Sequence, residues 1–189
     1  MFKRPPQDLR ISEGGLCLRA LLAGDASSDY ENWLLGTDVA GMLNLKPGHW
    51  PQSAQASMFE AYRKRADQRL LGFFDSGRMI GLFVITMSFD HGTFSITHLI
   101  GRRQDRGKGA SAKAMQMLLD YFFNGLGFAK AKCHVNPDNG GVLWSLHNYG
   151  WLREGRLDKQ MQPLKGGPRS DLICLAKLNP RWQQACPPA

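Results

Sequence analysis

The chain has 189 residues, of which 43% are hydrophobic and 21% are charged. These values suit one globular domain with its own core and exclude a chain that is disordered as a whole. No apolar stretch reaches the roughly 18 residues of a membrane-spanning helix, and the first residues lack the apolar segment of a secretory signal. The 4 cysteines include no C-x-x-C pair, which argues against a zinc ribbon or a disulfide scaffold and favours a cytoplasmic protein with reduced thiols.

The net charge of +8 comes entirely from the second half of the chain. Residues 1–101 contain ten basic and ten acidic side chains, whereas residues 102–189 contain fourteen basic and six acidic ones. A one-sided excess of this kind indicates an anionic partner for the second half. Nucleic acid, an acidic surface and a polyphosphate cofactor all satisfy that expectation.

The first half of the chain predicts strands and helices in alternation. Residues 1–15 are rich in proline and charge and predict a flexible N-terminal arm. Apolar alternation predicts a strand over residues 16–21, and residues that can cap a helix precede one that runs through Tyr30 and Trp33. An amphipathic helix is predicted over residues 53–68.

The middle of the chain predicts a hairpin and then a strand followed by a long helix. Two apolar runs, residues 70–74 and 79–87, flank a glycine-containing turn. Residues 94–101 predict the next strand, residues 110–124 a long helix with core spacing, and residues 129–135 another strand.

The C-terminal part predicts a short helix over residues 142–148 and a hairpin of residues 151–161 and 170–178, followed by a flexible tail at residues 179–189. Strands and helices that alternate, with several hairpins, indicate an α/β fold. The expected architecture is a mixed, largely antiparallel sheet flanked by helices. Residues 16–178 form its single domain.

The sharpest feature is a glycine-rich turn between a predicted strand and the long helix. It consists of Arg106, Gly107, Lys108, Gly109, Ala110 and Ser111. A helix N-terminus presents backbone N–H groups without internal partners, together with partial positive charge. Glycines let the backbone approach a bulky anion, and the two basic side chains add mobile positive charge. The turn therefore has the properties of a phosphate-binding site.

Two other interpretations of this turn remain open. The turn can simply start the helix and bind nothing. The spacing Gly107-x-Gly109-x-x-Ala112 also fits a dinucleotide-binding pattern. That kind of site has its first glycine at the strand end within βαβ repeats, whereas here polar residues and hairpins come first. The P-loop pattern is excluded, because no G-K-[ST] follows at the required spacing.

The segment Arg106-x-x-Gly109-x-Ser111 resembles the acetyl-CoA signature R-x-x-G-x-[G/A] of the GNAT N-acetyltransferases. The end of the long helix, residues 118–128, is similar to the Rim-type branch, which acetylates the N-termini of ribosomal proteins. A second block, residues 136–139 followed by residues 149–155, resembles the N-x-x-S…G-F-x-x-E-G ending of that branch. The resemblance covers residues 16–178 and implies the GNAT fold.

The resemblance also implies where acetyl-CoA binds. The strand before the signature would separate from its neighbour and pair with the pantetheine arm through Leu99, Ile100 and Gly101. In such folds the N–H of Leu99 would act as the donor to the acetyl carbonyl. The N–H groups of residues 107–111 would hold the diphosphate, and Asn139 would lie near the thioether end.

The implied reaction is direct attack of a primary amine on the thioester of acetyl-CoA, without a metal. The acceptor would be a protein N-terminus or a small amine, and the enzyme a monomer or homodimer. A GNAT-fold protein that binds CoA with little catalysis is the first alternative. A basic nucleic-acid-binding domain is the second, but the basic residues follow no known nucleic-acid motif.

Acid–base residues are where the sequence departs from the family. Val142 replaces the usual serine, Leu146 replaces the usual tyrosine acid, and the base positions hold Ser95 and Thr97. A positioned base typically contributes roughly 10²–10⁴-fold to the rate. The candidates to replace it are Tyr149 near the acid position, His98 on the strand, and the turn residues Asp90 and His91. For each of these a packing or surface role is the competing interpretation.

Overall fold

The computed structural model describes residues 2–35, 49–162 and 167–183, with only the backbone of Leu34. Eight strands form one sheet in the order β1-β2-β3-β4-β5-β6-β8-β7. All neighbouring strands are antiparallel except β5 and β6, which are parallel. The strands are β1 (Arg10–Glu13), β2 (Leu16–Ala20), β3 (Gln68–Asp75), β4 (Arg78–Ser88), β5 (Thr93–Ile100), β6 (Lys130–Val135), β7 (Leu152–Met161) and β8 (Ser170–Leu178).

Helices cover the two faces of the sheet. They are α1 (Ser28–Leu35), α2 (Gln52–Lys64), α3 (Ala110–Asp120), α4 (Gly140–Asn148) and the short α5 (Pro180–Gln183). Trp33 of α1 and Phe59 of α2 pack in one buried cluster with Leu99 of β5, on what we call the α1 face. Leu118 of α3 packs in the larger cluster with Phe94, on the α3 face. The predicted mixed, largely antiparallel sheet flanked by helices is confirmed.

The aromatic packing on the α3 face continues beyond α3 itself. A π-helical turn, Tyr121–Gly125, extends α3, so the helix that we predicted to residue 124 changes its winding at Tyr121. The rings of Phe94 and Phe122 stack with their centroids 4.5 Å apart, and Phe128 packs against both. These contacts fix α3, and therefore its first turn, against β5.

The N-terminal segment differs from the expected flexible arm. Residues 10–13 form β1 and pair with β2, and Leu9 is buried. The buried guanidinium of Arg69 donates hydrogen bonds to the carbonyls of Pro5 at 2.7 Å and Pro6 at 3.2 Å. Local composition does not indicate this packing, because the donor comes from β3, some sixty positions along the chain.

The start of the expected C-terminal tail is also packed. The buried side chain of Asn179 donates hydrogen bonds to the carbonyl oxygens of Phe123 at 3.2 Å and Phe128 at 2.9 Å. The short α5 follows it directly. Residues 184–189, the rest of the predicted tail, lie outside the described residues. The flexibility predicted there stays a prediction.

Candidate functional site

A gap opens between the two parallel strands. Thr93, Phe94 and Ser95 pair with residues 130–132, and beyond Ser95 the ladder between β5 and β6 stops. On its other side β6 pairs with β8 over its whole length, so its second half has a neighbouring strand on that side alone. Because parallel strands end at the same edge of a sheet, the segments that follow β5 and β6 border the same open end of the gap.

The backbone groups that face this gap follow from the alternation of β5. Gly101 N donates to Ile80 O of the β4 hairpin at 3.0 Å, and Ala129 N donates to Gly92 O at 2.8 Å on the other side. Amides along a strand alternate between its two neighbours. Leu99, two residues before Gly101 and opposite Leu82, therefore directs its amide toward β4. The groups that face the gap belong to His98 and Ile100.

This alternation corrects the role that the resemblance implied for Leu99. The N–H of Leu99 belongs to the hydrogen-bonded ladder with β4 and is not free to act as a donor to an acetyl oxygen. Ile100 keeps its place as a candidate backbone contact, whereas the N–H of Gly101 is already used by β4. Sequence alignment places residues along a strand, but only the pairing with its neighbour decides which way each amide points.

The loop after β5 is held in shape by two arginine contacts. The guanidinium of Arg106 donates to Ile100 O at 3.1 Å and to Gly101 O at 3.0 Å. Arg78 of β4 forms a two-pronged pair with Asp105, 2.9 Å in each bond, and this partner lowers the pKa of Asp105. Arg106 is therefore a structural tie between the loop and the strand end, rather than the mobile charge that we predicted.

The loop ends at the first turn of α3, which starts at the open end of the gap. Gly109 is the N-cap, with φ +80°, and no side chain caps the helix. The first hydrogen bond of the helix runs from Lys113 N to Gly109 O, at 3.1 Å. The N–H groups of Ala110 and Ser111 precede that bond and have no partner within the helix. This turn has the geometry of an anion-binding site.

The two glycines of the turn are required by backbone conformation. Gly107 has φ +74° and Gly109 φ +80°, and a Cβ built on either would meet nothing within 4 Å. L-residues with side chains rarely adopt this region, so glycine is favoured at both positions. The space over them is open, which leaves the backbone accessible to a bulky group. Lys108 lies between them, exposed.

Asn139 lies on the other side of the same opening, after β6. It caps α4: its carbonyl accepts from Val142 N and Leu143 N, each at 3.1 Å. Leu146, at the family's acid position, is 6% exposed and packs in the core of the α3 face. The family's serine position holds Val142 and its tyrosine position holds Leu146, and neither side chain can donate a proton.

His98 lies on β5 but on the wrong face for a base. Its imidazole stacks on Phe83 with the ring centroids 5.3 Å apart, on the α3 face, away from Ser95 and Thr97. Burial lowers the pKa of His98 to about 4, so the ring is neutral near pH 7 and only weakly basic. The alternation predicted this orientation.

The remaining candidates lie far from the turn at α3. Asp90 and His91 are exposed in the turn before β5, at the end where β5 and β6 pair, roughly 23 Å of strand away from Ile100. Tyr149 follows α4, about 15 Å along the helix from Asn139, and is 49% exposed. The structure does not bring these three side chains to the open end of the gap.

The aromatic residues near the predicted acceptor region are mainly core. Trp33 and Phe59 are buried, and Tyr30 packs edge-on against both at 6.2 and 5.7 Å between ring centroids. Trp50 and Tyr62 are partly buried against the same cluster. These rings build the α1 face beside the gap.

Sequence reasoning missed Lys132, which the register places directly opposite Ser95. The signal available was only its position in a predicted strand. Its neighbour across the parallel ladder depends on how two separated strands align, and no local pattern determines that.

Comparisons with known proteins agree with this geometry. The model of the Acetyltransferase (GNAT) family matches residues 30–145, more than half of the chain. The chain belongs to the GNAT acetyltransferase family. A search of curated protein sequences finds no significant match.

Solved GNAT structures share the fold at low identity. Spermidine N-acetyltransferase from Vibrio cholerae, solved with CoA and spermine, is 21% identical with a TM-score of 0.78, over 88% of this chain and 97% of that one. Ribosomal-protein-S5-alanine acetyltransferase from Vibrio fischeri is 16% identical with a TM-score of 0.78, over 93% and 99%. A GNAT acetyltransferase from Bacillus anthracis is 17% identical with a TM-score of 0.76, over 90% and 99%.

GNAT proteins use acetyl-CoA, and the residues described above fit it. The helix start with free amides and the open backbone of two glycines suit a diphosphate. The gap between β5 and β6 offers backbone groups to the extended pantetheine arm. Among the residues that the structure describes, no three His, Cys, Asp or Glu side chains are grouped to bind a metal, and no helix is long and apolar enough to span a membrane.

Proposed function

We propose that this GNAT protein transfers an acetyl group from acetyl-CoA to a primary amine, either a protein N-terminus or a small amine. The single observation that carries the proposal is the gap between β5 and β6, which ends at the uncapped first turn of α3. A backbone gap and an anion-binding helix start at one edge suit an extended acyl carrier with a diphosphate. Both named enzymes above have amine acceptors by name, which supports the acceptor class.

Each part of the site has a defined task in this proposal. The N–H groups of Ala110 and Ser111 would bind the diphosphate, and the backbone of His98 and Ile100 would hold the pantetheine arm. Bound acetyl-CoA supplies an activated thioester. The amine nitrogen forms a bond to the acetyl carbon, the C–S bond breaks, and its electron pair stays on sulfur.

Two protons must also move. The protonated amine must lose one proton before it can attack, and its nitrogen loses a second proton as the amide forms. The thiolate of CoA takes up one proton. Ser95 and Thr97 cannot act as ordinary bases, and Leu146 cannot act as an acid. Thr97 is exposed to solvent on the α1 face, so we assign the proton transfers to water on that side. The rate should then follow the fraction of neutral amine.

A protein that binds CoA with little turnover is the second candidate. The buried Leu146 at the acid position favours it, because a leucine cannot protonate a leaving thiolate. The proposed mechanism assigns that proton to water instead, and measurement of turnover separates the two functions.

The test combines calorimetric titration of acetyl-CoA with thiol release over a panel of primary amines. The proposed function predicts micromolar binding and turnover above the buffer rate for at least one amine. The pH profile of kcat/KM should rise with slope one toward the pKa of the free amine. Binding with background release for every amine would favour the second candidate. Salt-sensitive nucleic-acid binding without CoA binding would overturn both.

A further inference from the structure

Polar side chains of β5 and β6 lie on the α1 face of the sheet, beside the gap. Leu99 packs on this face, so the two-residue period of β5 places Ser95 and Thr97 there as well. Lys132 is the register partner of Ser95, and His134 lies two residues further along β6 on the same face. Thr97 and His134 are exposed, whereas Ser95 and Lys132 are half-buried.

Among the residues that the structure describes, the α1 face gives an acceptor amine the more exposed approach to the gap. The α3 face is filled by the large buried cluster that includes Phe94, Ile96 and Leu118. The edge of the gap is bordered by the first turn of α3 and by Asn139, where the cofactor would bind. An amine that approaches over the α1 face meets a row of register partners that crosses the sheet beside the gap: Thr86, Ser95, Lys132 and Ala176.

The row has one charged member, the positive Lys132. Lys130, on the same face, pairs with Glu154 at 2.5 Å. Lys132 has no ion pair among the residues that the structure describes, and the other members of its row are uncharged. The two acids of α1 have partners of their own: Asp29 pairs with Arg102 at 2.6 Å, and Glu31 accepts a hydrogen bond from Trp50 N at 3.2 Å.

We propose that the acceptor amine carries an anionic group, a carboxylate or a phosphate, which binds Lys132 beside the gap. This inference rests on the proposed acetyl transfer to an amine. A lysine with no carboxylate partner attracts an anion and repels a polycation at the same position. The excess positive charge of the second half of the chain also favours an anionic acceptor over a polycation. The site thus selects against polyamines.

The test uses amines that differ only in their distal group. The probes are 4-aminobutanoate, butylamine and 1,4-diaminobutane, with 3-aminopropanoate, 6-aminohexanoate and 2-aminoethyl phosphate to separate chain length and carboxylate from phosphate. Thiol release gives kcat/KM for each probe. Calorimetric titration of each probe into the complex with CoA gives its affinity independently of turnover.

We expect the wild type to prefer an anionic probe over butylamine by about tenfold in kcat/KM or affinity, and over the diamine by more. Lys132→Met should abolish the preference, and Lys132→Glu should reverse it toward the diamine. Lys130→Met is the matched control and should leave it unchanged. Affinity for acetyl-CoA should be the same in all three variants.

The two proposals fail in different ways. If no amine is acetylated but the CoA complex still binds anionic probes through Lys132, the acetyl transfer fails and the anion site stands. If the wild type prefers butylamine or the diamine, or binds no probe, the anion site is wrong. The same conclusion follows if Lys132→Met leaves an anionic preference intact, whatever the rate of acetyl transfer.

Discussion

The indole of Trp33 lies directly over Gly101, so that a Cβ on Gly101 would stand 2.1 Å from two ring carbons. Trp33 belongs to α1, whereas Gly101 directly follows the end of β5 and begins the loop toward α3. The indole Nε1 is buried and has no hydrogen-bond partner within the described part of the chain. This contact therefore joins α1 to the edge of the gap by packing alone.

Substitution of Gly101 by alanine tests this contact. The added methyl group must displace a buried indole, and overpacking of this kind costs about 1–3 kcal/mol of unfolding free energy. Urea denaturation should show that loss, and Trp33→Leu in the Gly101→Ala background should recover part of it. Gly155→Ala is the control, since a Cβ there meets nothing within 4 Å. Equal stability of the two alanine variants would contradict the packing.

Gly109 allows charge to be separated from conformation at the start of α3. Aspartate and asparagine have the same shape, and both tolerate positive φ better than other side chains. Gly109→Asp should weaken acetyl-CoA binding about tenfold more than Gly109→Asn, because only the carboxylate repels a diphosphate at the helix start. Calorimetric titration measures the difference, and circular dichroism checks that both variants fold. Equal affinities would place the diphosphate elsewhere.

Arg106 should act through its hydrogen bonds rather than through its charge. Its guanidinium donates to the carbonyls of Ile100 and Gly101 from two different nitrogens, a geometry that lysine cannot reproduce. Arg106→Met and Arg106→Lys should therefore both lower acetyl-CoA affinity by about tenfold and reduce stability by about 1–2 kcal/mol. Full recovery of affinity by lysine would show that charge alone matters. Lys108→Met, which removes a charge from the same turn, is the comparison.

His98 should make stability depend on pH. Burial lowers its pKa from 6.5 to about 4 in the folded protein, so the unfolded chain binds the proton more readily. The stabilisation is present above about pH 6.5 and is lost as pH falls toward 4, and the shift bounds it at about 3 kcal/mol. His98→Phe keeps a ring against Phe83 and should flatten the unfolding free energy across that window. The exposed His134→Gln is the control and should leave the dependence in place.

Much of the fold was predictable because it depends on local periodicity. The two apolar runs at residues 70–74 and 79–87, with a glycine-containing turn between them, predicted β3 and β4, which the structure extends by one or two residues at each end. The turn before α3 was predictable from its glycines, since positive φ at Gly107 and Gly109 restricts those positions to few residue types. Each of these features depends only on residues that lie within a few positions of one another in the sequence.

Contacts between distant residues were not predictable in this way. Composition indicated an unstructured start to the chain, yet Arg69 of β3 binds the carbonyls of Pro5 and Pro6 and β1 pairs with β2. Alignment gave Leu99 a donor role that its pairing with Leu82 removes. In each case the deciding partner lies on another strand.

By itself, the amino-acid order determined the alternation of strands and helices, the glycine turn with its free amides, and the excess of positive charge in the second half. Only the tertiary structure decided where β5 and β6 separate, which amides face the gap, and that Lys132 stands beside Ser95. The physical reason is that side-chain periodicity is a property of each segment alone. Hydrogen-bond direction and register belong to pairs of strands that meet only when the chain has folded.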